Sequence, residues 1–200
     1  MTGRATLLDP AWRYVEKPEM AQFRAADWQV LEPQKRVYYQ HSRADHVLRL
    51  LRTLEADPSW GYEINIFEHC LQSATMLLRD GHDEETVVVG LLHDIGFTIC
   101  PETHGAFAGA LLAPYVDPRH VWMLERHGIF QLHHCHEHPD ADPHERERWR
   151  GHPHFEWAAE YVERYDQNAI DPAVGWAPLA TFEPMVRRVF AAPRYRVTPP

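Results

Sequence analysis

Six residues have the types and the order of a metal-binding set: His69, the adjacent pair His93-Asp94, His104, His127 and Asp166. Neutral imidazole and carboxylate are the ligands of borderline transition metals such as iron, manganese and zinc. Six are too many for one tetrahedral ion. Two adjacent octahedral ions could use all six if one aspartate bridges them, leaving open positions for a bridging oxygen and a substrate. An adjacent His-Asp pair is common by chance. This one closes the apolar run Gly90-Leu91-Leu92-His93-Asp94-Ile95-Gly96, and a buried apolar helix that ends on two polar residues has to give them partners.

The elements that must position these residues read as helices. Asn65, with Glu68 three residues on, caps a helix that continues through Leu71, Leu77 and Leu78 to Gly81, with His69 and Gln72 one turn apart. Asp83 caps the next, whose Val87-Val88-Val89 and Leu91-Leu92 are of a fully buried type, and Gly96 terminates it. His104 starts a small-residue helix, and Asp117-Pro118 starts another over Arg119 to Arg126 that ends on His127. A helix over Pro153 to Tyr165 delivers Asp166, and a last helix is expected around Met185 to Phe190.

Upstream, Glu19 to Leu31 reads as a short helix stopped by Pro33, and Ser42 with Asp45 resembles a capping box ahead of Val47, Leu50, Leu51 and Leu54. No segment sustains a two-residue alternation. The expected class is all-α: an N-terminal arm and short helix over residues 1–41, one helical domain over 42–191 and a wrapping tail over 192–200.

Composition narrows the partners. Two hundred residues with 44% hydrophobic content suit a single domain, and a net charge of −9 without a Lys/Arg cluster argues against nucleic acid. No run is long enough for a membrane span, and the first 18 residues lack the core of a signal peptide. Three cysteines, with no Cys-x-x-Cys spacing, suit a reducing cytoplasm. The histidine-rich connection His133-His134-Cys135-His136-Glu137-His138 fits no regular metal motif.

The ordered pattern His69…His93-Asp94…His104…His127…Asp166 resembles the HD-domain superfamily in its six-ligand dinuclear branch, across roughly Asn65 to Asp166. The resemblance implies that His69, His93, Asp94 and Asp166 hold one ion, and that Asp94 bridges to a second held by His104 and His127. The stretch around Glu68-His69-x-Leu71-Gln72 is similar to the first metal motif of the mixed-valent diiron oxygenases, the group of 2-amino-1-hydroxyethylphosphonate oxygenase and, more distantly, myo-inositol oxygenase. That implies an Fe(II)/Fe(III) pair, O₂ as co-substrate and oxidative cleavage of a C–P or C–C bond in a small hydroxylated molecule. The alternative within the branch is a metal-dependent phosphohydrolase of nucleotides or other phosphate esters, holding manganese or zinc.

Asp94, Tyr62 and Gln72 are expected in the catalytic machinery, and Trp60, Phe97, Gln131 and Arg164 at the substrate. Trp60 and Tyr62 form an aromatic wall of a kind that even suits a quaternary ammonium. Where the phosphonate oxygenases carry a histidine, a lysine and an arginine for their dianionic substrate, this sequence has Phe97, Gln131 and Glu163. Gln167 and Asn168, directly after Asp166, are expected to support the ligands.

Overall fold

The computed structural model describes residues 12–17 and 19–196. The expectations for residues 1–11, Pro18 and residues 197–200 therefore lie outside the described residues. Among the described residues there is no strand, and eight α-helices joined by short 3-10 turns carry the chain, as the all-α reading expects. None of these helices is long and apolar enough to cross a membrane.

The chain divides into two compact units, residues 1–43 and 44–200, and the division falls within helix α1 (Ala25–Arg52). In the first unit, Arg13 and Gln34 exchange two hydrogen bonds, the Arg13 amide donating to Gln34 Oε1 and Gln34 Nε2 donating to the Arg13 carbonyl. Trp12 meets Tyr38 edge-on at 5.9 Å. Two expectations are corrected here. Pro33 does not stop the helix but sits inside it, where its ring removes one backbone donor while the turns on both sides continue. Ser42 is not a cap, because its hydroxyl donates to the Tyr38 carbonyl one turn back, as a helix-interior serine does.

In the second unit the last turns of α1 bury Val47, Leu48 and Leu51 before a 3-10 turn at Thr53–Ala56. Helix α2 (Ile66–Arg79) begins on a full capping box, Asn65 accepting from the Glu68 amide and Glu68 from the Asn65 amide. Helix α3 (Glu84–Leu92) is capped by Asp83 and packs against both α2 and α8 (Leu179–Val189). Val87, Val88, Val89, Leu91 and Leu92 are all fully buried, which is why α3 is apolar all round. Each such side chain contributes about 1.5–3 kcal/mol relative to exposure, so α3 is the stiff central element.

Helix α4 (His104–Leu112) packs on α5 (Pro118–Leu124), and a short α6 (His127–Gln131) follows directly. His127 thus opens α6 rather than ending α5, because Arg126 leaves helical geometry at φ −128° and ψ −4°. Helix α7 (Phe155–Tyr161) runs into a π-helical turn, Val162–Asp166, closed by the Gln167 amide donating to the Val162 carbonyl at 3.0 Å. The wider turn lets Tyr161, Val162, Tyr165 and Asp166 all face inward. Helix α8 starts earlier than expected, at Leu179, and carries Pro184 within it.

Candidate metal centre

All six expected ligands converge, and each comes from the end of an element or from a face turned to the core. His69 lies in the first turn of α2, His93 caps the C-terminus of α3 with Asp94 beside it, His104 and His127 open α4 and α6, and Asp166 closes the π turn. Every ligand except His104 is buried, and His104 is only partly exposed.

The four imidazoles share one orientation. The Nδ1 atoms of His93, His104 and His127 lie 2.8, 2.6 and 2.8 Å from the carbonyls of Gly90, Pro101 and Leu124, in each case the residue three positions back. His69 Nδ1 lies 2.8 Å from the Ala169 carbonyl. A carbonyl can only accept, so each Nδ1 carries the proton and each Nε2 turns a lone pair to the centre.

Those Nε2 atoms are close. His69 and His93 approach to 2.9 Å, and His104 and His127 to 3.0 Å. Neutral imidazoles so arranged face each other lone pair to lone pair, which requires a cation, a proton or a metal ion, beside them.

Asp94 divides the cluster. Its Oδ2 is 3.6 Å from His69 Nε2 and 3.5 Å from His93 Nε2, while its Oδ1 is 3.2 Å from both His104 and His127. Asp166 Oδ1 joins the first side, 3.4 Å from His69 and 3.6 Å from His93. An ion bonded at about 2.1 Å to nitrogen and oxygen has ligand-to-ligand edges of about 3.0 Å if octahedral and about 3.4 Å if tetrahedral. The cluster's spacings, 2.9 to 3.6 Å, straddle those edges, so the donor set fits a metal. Asp166 Oδ2 is buried without a hydrogen-bond partner, a further lone pair for a cation.

Protonation tells the same story. Burial alone would lower the histidines, yet Asp94 raises His104 and His127 above the ordinary value, and Asp94 with Asp166 raises His93. Burial would raise the carboxyls, yet His93, His104 and His127 hold Asp94 well below the usual range, and His69 and His93 hold Asp166 there too. The pocket of ligands is built for positive charge.

Glycines allow the close approaches. A Cβ on Gly105 would stand 2.4 Å from the Leu124 carbonyl and 3.2 Å from the His127 ring, so only glycine lets α4 bring His104 against His127. Gly96 similarly lies under the Phe107 ring, 2.9 Å from the place of its missing Cβ.

A cleft of about 190 Å³ opens onto His69, Asp94 and Gln131. Trp60, Tyr62, Phe97 and Gln131 all line it. Trp60 and Tyr62 are 58% and 59% exposed at its rim, and Trp60 holds an unusual positive φ of 47°. Gln131 also reaches a ligand: its Nε2 donates to Asp166 Oδ1 at 2.8 Å.

Two expected residues fall outside the cleft. Gln72 is fully buried and donates to the Asp171 carbonyl, tying α2 to the loop after Asp166. Arg164 faces outward from the π turn and pairs with Glu160 and Asp80. Gln167 and Asn168 both donate to the Glu163 carbonyl and so brace the π turn, touching no ligand. The rings of His133 and His136 stand 5.8 Å apart, and among the described residues the histidine-rich connection forms no group able to hold a metal.

Sequence reasoning missed the three carbonyls at the i−3 position, although the coincidence of each histidine with a helix boundary signals them, since carbonyls there lack their usual partners. It also missed Ile64, Ile66 and Ile170 in the cleft wall. The sequence matches no protein-family model and no curated protein.

Proposed function

We propose that the chain is an HD-domain diiron oxygenase that cleaves a C–P or C–C bond of a small hydroxylated substrate, with O₂ as co-substrate. The observation that carries the two-ion part of this reading is the split of Asp94, one oxygen toward His69 and His93 and the other toward His104 and His127; the likeness of Glu68-His69-x-Leu71-Gln72 to the oxygenases' first metal motif favours oxygenase over phosphohydrolase. In it, His69, His93, Asp94 and Asp166 hold one ion, and Asp94, His104 and His127 hold the second. When bound, an Fe(II)/Fe(III) pair supplies redox chemistry that histidine and carboxylate ligands keep accessible.

The chain's own residues do the rest. Carbonyl partners fix all four rings before any ion arrives, so little rearrangement is needed on loading. Gln131 orients Asp166 from the cleft side. Gln72 acts from behind, holding the 169–171 loop whose Ala169 carbonyl orients His69. Trp60 and Phe97, with ring centroids 5.5 Å apart, and Ile64 keep bulk water off the floor on which His69 and Asp94 stand. Tyr62 places a hydroxyl-bearing ring at the entrance.

The test is metal and gas balance on protein purified without oxygen. Two irons per chain, and O₂ consumption on adding substrate, support the reading. Manganese or zinc together with anaerobic release of phosphate from nucleotides overturns it in favour of a phosphohydrolase.

A further inference from the structure

The cleft over the metal centre has a chemical character of its own. Apart from the ligands His69 and Asp94, no titratable residue other than Tyr62 lines it. No lysine follows Lys35 in the chain. Neither of the two arginines nearest the ligands in sequence lines the cleft. Arg126 pairs with Glu125 and lies over the rings of Trp122 and Trp149, at 4.9 and 4.7 Å, while Arg164 is held by Asp80 and Glu160.

The polar groups that do line the cleft are partly used up. Asn65 uses its side chain on the Glu68 amide and the Glu55 carbonyl, and the Gln131 amide nitrogen gives one of its two hydrogens to Asp166. Most of what faces the open space is apolar: the rings of Trp60 and Phe97, with Ile64, Ile66 and Ile170; the hydroxyls of Ser59 and Tyr62 add uncharged polar groups at its edge. The volume, about 190 Å³, exceeds the roughly 150 Å³ of an apolar cavity that takes benzene.

A phosphonate or phosphate dianion bound here would keep at least one oxygen away from the ions, and that oxygen needs donors or a cation. The lining supplies none with charge. An ammonium would be attracted by the faces of Trp60, Tyr62 and Phe97, but the lining offers it no carboxylate beyond the ligand Asp94, and with the centre loaded it would meet the positive charge of the ions.

From this we infer that the cleft takes an uncharged alcohol with a flat, apolar body about the size of a substituted six-membered ring, its hydroxyl toward the ions and its ring against Trp60 and Phe97. This substrate class rests on the metal-centre reading and narrows it: the bond cleaved is then C–C rather than C–P.

The full chain loaded with zinc, which is redox-silent, lets binding be measured without turnover. Benzyl alcohol, aminomethylphosphonate and choline serve as neutral, anionic and cationic probes, followed by ligand-observed NMR and tryptophan fluorescence, with metal content determined on the same samples. Benzyl alcohol is expected to bind at least tenfold more tightly than the other two. Trp60→Ala and Phe97→Ala should each weaken it fivefold or more at unchanged metal content. Tighter binding of aminomethylphosphonate or of choline overturns the inference, as does benzyl alcohol binding that neither substitution affects. Less than one zinc per chain with the probe ranking intact sinks the metal-centre reading instead and leaves the preference of the cleft supported.

Discussion

Replacing Gly105 by alanine adds one methyl group at the tightest point of the α4–α5 contact. The new Cβ would lie 2.4 Å from the Leu124 carbonyl oxygen and 3.2 Å from the His127 ring. A carbon and a carbonyl oxygen need more than 3 Å, so the helices must part by several tenths of an ångström to about 1 Å. Overpacking of this kind costs about 1–3 kcal/mol, against which alanine's helix preference over glycine returns at most about 1 kcal/mol. The Leu124 carbonyl is also the partner of His127 Nδ1, so the same displacement turns the His127 ring and moves His104 off its 3.0 Å approach. Metal ligands tolerate only about 0.2 Å. The variant should therefore fold, melt a few degrees lower and bind one ion per chain in place of two. Gly128→Ala is the internal control, because nothing lies within 4 Å of its missing Cβ and its backbone is helical; it should keep both ions and melt no lower than wild type. Metal analysis and thermal unfolding of the two variants decide the matter. A Gly105→Ala protein with two ions and unchanged affinity would refute the close approach on which the second half of the site is argued to depend.

Three further expectations concern the same architecture. His104→Ala should lose one ion, whereas Asp94→Ala, which removes both bridging oxygens, should lose both; equal metal content in the two variants, by elemental analysis, would contradict the division of ligands. Gln131→Leu should leave the fold intact but weaken metal binding about 10–100-fold, the usual cost of removing a ligand's hydrogen-bond partner, as read by competition with a chromophoric chelator. His120 is buried away from the cluster, and burial, helped by Arg119, lowers its pKa from 6.5 to about 4. The unfolded chain therefore binds the extra proton first, so this residue's contribution is to reduce stability as pH falls from about 6.5 toward 4, by an amount on the order of 3 kcal/mol at most. Urea unfolding between pH 7 and 4.5 should show wild type losing stability relative to His120→Leu as the pH falls; parallel curves would show that His120 does not titrate on unfolding.

The residues of the His/Asp cluster were legible because their chemistry is local: a histidine or aspartate at the edge of an apolar helix has few partners available within its own turn. Asn65, Asp83 and Asp117 mark helix starts for the same local reason, and the structure keeps all three as caps. What escaped depends on contacts between segments far apart in the chain. Pro33 is a helix breaker by local rules, yet α1 extends through it. The π turn at Val162–Asp166 leaves no mark in the sequence, because Tyr161 and Tyr165, like Val162 and Asp166, are four apart as in an ordinary helix. Gln72 and Gln131 are both uncharged and both near ligands in sequence; only the fold sends the first behind the site, to the Asp171 carbonyl, and the second into the cleft beside Asp166. The cleft wall joins Ser59 and Trp60 from one loop to Ile170 from another, a pairing that neither stretch encodes alone.

Whether Asp94 bridges two ions is tested most directly by anomalous diffraction from crystals of the metal-loaded protein. Two peaks per chain are predicted, one among His69, His93 and Asp166 and one beside His104 and His127, with the Asp94 carboxylate between them. A single peak, or two peaks of which one lacks contact with Asp94, would contradict the bridge.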